Sequence, residues 1–183
     1  MSHATTRDLL IDLANSSAGD PNDFLDGLSP IHNDWHSIPP RTYGFLLFHA
    51  RVVRYYQRIV NSTLTPRVVA FTNAQFTAMG VTPFSGATAG VDTLAELATF
   101  SGALESWHNN AHMRIGMATG APMMDARVNI YYRPFWQLHL YIEALFQKVL
   151  KQYGAAAHPS QLVNATAVAS HLEVSHHSWV PRI

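Results

Sequence analysis

The chain has no cysteine. Disulfides and thiolate metal sites are thereby excluded, and any metal must be held by His, Asp or Glu. Charge is sparse: charged residues make up 13% of the 183, and twelve acids balance twelve Lys plus Arg. With the sequence pI near 7.2, there is no electrostatic footprint for nucleic acid or for an anionic membrane surface. No apolar run is long enough to span a bilayer, and Met1-Ser-His-Ala-Thr-Thr-Arg-Asp8 lacks the apolar stretch of an export segment. The expectation is a cytoplasmic protein, or one exported with a partner. Glutamate is scarce too, at positions 96, 105, 143 and 173 only. What the chain has in quantity is apolar residues, 48%, and histidine, eleven against twelve Lys plus Arg. Its length predicts one domain over 1–183 with a substantial core, 1–31 forming an N-terminal segment and 155–183 a C-terminal extension.

The apolar periodicity is helical and no period-two strand is evident, so the expected class is all-α. Thr6 to Ala14 carries a short amphipathic pattern. Ser29-Pro30 reads as an N-cap with proline at the first helical position, opening a short helix stopped by Pro39-Pro40. Gly44 to Val60 is a strong helix. Arg67 to Met79 is expected to be another, closed by Gly80, with a loop over Val81 to Gly90. Asp92 to Met113 should be helical with a break at Ser101-Gly102. Gly116 to Pro134 reads as a long loop, Phe135 to Tyr153 as a helix closed by Gly154, and Ser160 to His171 as a last, weaker helix.

The chain is organised around Leu104 to Phe146, which holds His108, His112 and His139. His108 and His112 are four residues apart, so on a helix both imidazoles lie on one face, one turn apart, and can share an ion. A third ligand is needed, and His139 on a later helix is the candidate. Three neutral imidazoles suit copper or zinc and suit magnesium or calcium poorly. Trp107, Met113, Ile115, Phe135, Trp136 and Leu138 make the surroundings apolar, where ring nitrogens need partners. The first half has its own set: His32 and His36, again four apart, and His49 inside an apolar helix.

Glu105-Ser-Trp-His-Asn-Asn-Ala-His112, then Ile115-Gly116, the Met123-Met124 loop and Phe135-Trp-Gln-Leu-His139-Leu-Tyr-Ile-Glu143 resemble the second copper-binding half of the type-3 copper proteins, the family of tyrosinases, catechol oxidases and molluscan hemocyanins. The departures are Tyr132-Arg133 for the family's Asp-Pro, Leu138 for the first of two adjacent histidines, and Glu143 for a later aspartate. Phe45-Leu-Leu-Phe-His49-Ala-Arg is similar, more loosely, to the segment carrying the third ligand of the family's first copper; Leu47, Phe48 and Ala50 replace proline, tryptophan and arginine there.

The resemblance implies a helical bundle around a dinuclear copper centre, a short and divergent member of its class. His108, His112 and His139 would hold one ion and His49 the other, with His32 and His36 assigned as its remaining ligands; an N-terminal helix carrying His3 is the competing source. It implies two copper ions as cofactor, dioxygen as co-substrate, and a small phenolic or catecholic substrate. The reaction class would be phenol hydroxylation or oxidation of o-diphenols or o-aminophenols to quinones. By the same resemblance, Glu105 and Asn109 would hold a water near the second copper and take a phenolic proton. Met113 would line the entrance, and Phe135 would lie against the ligand rings at the substrate site. Glu143 is expected to pair with Arg51 or Arg54. His158, His171, His176 and His177 lie outside the resembling region and read as surface or tail residues.

Three other readings use the same residues. One is a non-catalytic copper or oxygen binder with identical ligands, and a second is a degenerate homologue that has lost the first copper, given the poor match around His36. The third is a di-iron carboxylate bundle, which needs two Glu-x-x-His motifs; Glu105-x-x-His108 supplies one and no second exists. Neither nucleic acid nor membrane is expected as a partner, and a homo-oligomer or an accessory protein is the expected cover for so short a chain.

Overall fold

A computed structural model describes residues 6–17, 20–37, 44–86, 88–91 and 93–155. Among the described residues six helices carry the fold: α1 (Thr6–Ser16), α2 (Pro21–His36), α3 (Gly44–Ile59), α4 (Asn73–Ala78), α5 (Leu94–Thr119) and α6 (Arg133–Ala155). Single 3-10 turns lie at Asn61–Thr63 and Asn129–Tyr131. Among the described residues there is no strand, and no helix is long and apolar enough to cross a membrane. The expected all-α class is observed. Ser160 to His171 lies outside the described residues, as do His3 and the four C-terminal histidines.

Each long helix buries one stripe. On α5 the buried line runs Leu97, Phe100, Leu104, His108, Ala111, His112, Ile115, the three-and-four spacing of an apolar helix face. On α2 it runs Phe24, Leu28, His32, Trp35. α3 and α6 pack chiefly on each other. Tyr56 stacks on Trp136 with ring centroids 3.6 Å apart, and His49 stacks on His139 at 4.7 Å. The later residue of α3 meets the earlier residue of α6, so the pair is antiparallel. Trp136 is anchored further by donating its Nε1 hydrogen to the Ile130 carbonyl at 2.6 Å.

Helix α5 is opened by a reciprocal cap. The Thr93 hydroxyl accepts from Glu96 N–H at 3.2 Å and the Glu96 carboxylate accepts from Thr93 N–H at 2.9 Å. It closes at Gly120, whose φ of +73° is left-handed and favours glycine. The expected break at Ser101-Gly102 does not occur: α5 runs continuously, with Ser101 buried in its stripe and Gly102 exposed, where an added β-carbon would meet nothing within 4 Å.

Two other expectations are corrected. Ser29-Pro30 does not start a helix. Asp20 caps α2 instead, accepting from Asn22 N–H at 2.8 Å with Pro21 following, and Pro30 lies inside the helix. Distant chain bonds to the helix around this interior proline: Ser29 donates to the Arg127 carbonyl at 2.5 Å and Tyr131 donates to Asp26 at 2.7 Å. Arg67 to Thr72 is not helical, and only Asn73–Ala78 is. Val68 N–H is taken by the buried Asn61 side chain at 2.6 Å and Phe71 N–H by the Gln137 carbonyl at 3.2 Å. Those bonds hold the segment apart from a helical ladder, and α4 begins only at the Thr72–Gln75 capping box.

Candidate metal centre

The buried stripes of α2, α3, α5 and α6 meet, and at the meeting point each stripe supplies imidazole where an apolar side chain would otherwise stand. His32 is 0% exposed, His49 1%, His108 2%, His112 5% and His139 1%. His36, half-buried, completes the set. Two groups offer ligand nitrogens within 4.8 Å of one another: His32, His36 and His49; and His49, His108 and His139. His112 adjoins the second, its ring centroid 4.3 Å from that of His108 and 5.3 Å from that of His139. All six sequence-derived ligand candidates come together. Neither group contains a carboxylate, the ligand that a di-iron carboxylate bundle requires.

The hydrogen bonds set the tautomers. His32 donates Nδ1–H to the Ala126 carbonyl at 2.7 Å, His49 to Phe45 at 2.8 Å, His112 to Met123 at 2.5 Å and His139 to Phe135 at 2.7 Å. A carbonyl can only accept, so each of these rings carries its hydrogen on Nδ1 and a lone pair on Nε2. His108 faces the Asn109 side-chain oxygen in the same way at 3.1 Å. The Nε2 atoms of His32, His49, His112 and His139 are therefore acceptors. That of His32 lies 3.0 Å from Nε2 of His36, and that of His139 3.1 Å from Nε2 of His108. Nε2 of His49 and of His112 is buried with no hydrogen-bond partner.

Burial keeps the rings neutral. It pushes His32 and His112 down to about 4, against small opposing effects of the Ala126 and Met123 carbonyls. It holds His49, His108 and His139 well below the ordinary 6.5, with the neighbouring imidazoles adding to the effect. Neutral imidazoles fixed from behind by carbonyls, lone pairs forward, are the arrangement that ligates a metal ion. The set could hold one at each group.

Aromatic rings wall the centre. Phe135 is fully buried, stacked on His139 at 3.9 Å and edge-on to His32 at 5.2 Å and His112 at 5.9 Å. It braces histidine rings from both groups. Trp35 stands edge-on to His36 at 4.9 Å and His49 at 5.1 Å. A cavity of about 150 Å³ opens beside the histidines, lined by His36, His108, Asn109, His112, Met123, Met124, Ala126 and Asn129. It shares His36, Met124 and Ala126 with a wider groove of about 670 Å³.

Of the other predicted site residues, Asn109 lines the cavity and orients His108. Glu105 is half-buried on α5, one turn ahead of Asn109, and is not among the lining residues. Met113 is 41% exposed on the same helix and does not line the cavity; Met123 and Met124 do. Glu143 accepts from Gln147 at 2.6 Å and feels the Arg54 charge, while its second oxygen is buried without a hydrogen-bond partner. No ion pair joins it to Arg54 among the described residues.

Sequence reasoning named the Met123-Met124 loop but missed that it holds the histidines from behind. The Met123 and Ala126 carbonyls fix His112 and His32, and buried Asn129 donates to the same Met123 carbonyl at 3.1 Å. Backbone acceptors leave no side-chain signature, so only the polar Asn129 between Val128 and Ile130 could have pointed there. Compared with protein-family models, curated proteins and solved structures, the chain matches none.

Proposed function

We propose that this chain is a copper-dependent oxidase that uses dioxygen on phenols or o-diphenols, built on two copper ions. His32, His36 and His49 would hold one ion, and His108, His112 and His139 the other. The observation that carries this reading is the set of four backbone-anchored imidazoles, His32, His49, His112 and His139, whose Nε2 lone pairs converge in a buried space, two of them without any partner. Burying an acceptor unpartnered costs about 1–3 kcal/mol, and an ion between the rings removes that cost. All-imidazole ligation favours copper or zinc over hard cations, and the resemblance of 105–143 to type-3 copper proteins favours copper.

Bound copper would supply the exchange of electrons with dioxygen and with the ring. The chain's own residues would do the rest. Asn109 holds His108 in register and faces the cavity. Glu105, one turn earlier, would accept the phenolic proton, directly or through a water. Phe135 and Trp35 keep the rings packed and water out of their backs. The cavity and the adjoining groove give a planar ring a route to His36, His108 and His112, which favours an oxidase over a carrier.

The test is reconstitution with copper, then assay of a monophenol and a catechol under air. Quinone formation that scales with bound copper supports the reading. Full copper loading with no turnover of either substrate would make the protein a carrier.

A further inference from the structure

Methionine is ordinarily a core residue, yet three of the eight exposed large apolar residues among those described are methionines: Met113 at 41%, Met117 at 76% and Met124 at 68%. All three fall within twelve residues of a chain that has six methionines in total. On α5, Asn109, Met113 and Met117 recur every four residues and form one line along the helix. That line starts at Asn109, which lines the cavity, and continues toward the C-terminal end of α5.

The third thioether comes from the loop that follows. The loop is pressed onto α5 at Gly116, where an added β-carbon would meet the Ala121 carbonyl oxygen at 3.2 Å and the Met123 β-carbon at 3.3 Å. Gly116 lies between Met113 and Met117 in the chain, so the approach brings the loop to this end of α5. Met123 turns inward and is buried, its carbonyl on His112; Met124 turns outward and lines both the cavity and the groove.

We propose that Met113, Met117 and Met124 form a capture site for monovalent copper beside the histidine cavity, which Met124 lines, and that the ion passes from it to His108 and His112. Thioethers are soft, neutral ligands that select Cu(I) over Zn(II) and over harder ions. The passage is a ligand exchange: thioether sulfurs leave as Nε2 lone pairs bind, no proton is released because Nε2 carries none, and the oxidation state is unchanged. Capture needs only the methionines, whereas the transfer step rests on the histidine reading above.

Ag(I), a redox-inert analogue of Cu(I), separates the two. In the full chain labelled at the methionine methyls, Ag(I) should shift Met113, Met117 and Met124 together and leave Met79 in place. Replacing all three by leucine, a near-isosteric change at exposed positions, should weaken that binding at least about tenfold, the low end of what losing a supporting group costs a metal site. In the same variant, loading with Cu(I) should slow while loading with Cu(II) and the final copper content stay as in the wild type. Unmoved methyl signals, or unchanged Cu(I) loading in the leucine variant, would overturn the proposal. Shifted methyls in a chain whose histidines take up no copper would uphold capture and defeat the histidine reading instead.

Discussion

Nε2 of His108 stands 3.1 Å from Nε2 of His139, although His139 has already given its only ring hydrogen to the Phe135 carbonyl and His108 faces an acceptor at its own Nδ1. Two lone pairs at that distance repel unless a proton or a metal ion lies between them. Burial opposes the proton, since both rings are held well below their ordinary pKa. The proposed metal ion would lie between the two rings and satisfy both lone pairs, and several consequences of that reading can be measured.

The first is acid sensitivity. The buried histidines have folded-state pKa values below their unfolded value near 6.5: burial brings His32 and His112 to about 4 and holds His49, His108 and His139 well below 6.5. Between those limits the unfolded chain binds more protons than the folded one, so folding stability is fully present above about pH 6.5 and is lost as pH falls toward 4 and beyond. Each such group contributes up to about 1.4 kcal/mol per pH unit. Denaturant melts of the metal-free protein should show a steep loss of stability across this window, and His49→Phe should flatten it. A pH-independent midpoint between 7 and 4 would contradict the buried neutral state.

A pair of glycine substitutions separates helix stability from ligand support. At Gly102 an added β-carbon meets nothing within 4 Å, so Gly102→Ala should stabilise α5 by about 0.5–1 kcal/mol and leave metal binding alone. At Gly116 it would press on the Ala121 carbonyl and on Met123, whose carbonyl holds His112. Gly116→Ala should fold and yet bind copper at least about tenfold more weakly, as loss of support behind a ligand does. Competition against a copper chelator measures this, and equal affinities in the two variants would show that the loop does not position His112.

Much of this was legible from residues alone because helical period does most of the work. His32 and His36, like His108 and His112, declare themselves by four-residue spacing, and His49 by standing in an apolar face. The misread parts depend on bonds made across the chain. Pro30 looked like a helix start because the bonds that hold the helix around it, Ser29 to the Arg127 carbonyl and Tyr131 to Asp26, come from distant chain. Residues 67–72 looked helical because nothing local says that Asn61 and Gln137 take their N–H groups. Thr72-x-x-Gln75 is a capping signature that reads from sequence, and it would have placed the start of α4 correctly.

A third prediction concerns the reaction. A free phenol has a pKa near 10, so hydroxylating a monophenol demands a proton acceptor more than oxidising a catechol does. Glu105→Gln should therefore lower monophenol turnover far more than diphenol turnover at equal copper loading. Asn109→Ala should shift the same ratio and should also weaken copper binding, because Asn109 supports His108. Equal loss of both activities in Glu105→Gln would make that carboxylate structural.

The most direct measurement is the metal count. The full chain, stripped and then reconstituted with excess copper and desalted, should hold two copper ions by native mass spectrometry. His36→Ala and His112→Ala should each lose one, since each removes a ligand from a different group, and His49→Ala should disturb both, since its ring lies within reach of each. A wild-type chain that retains no copper, or a His112→Ala chain that retains as much as the wild type, would contradict the account.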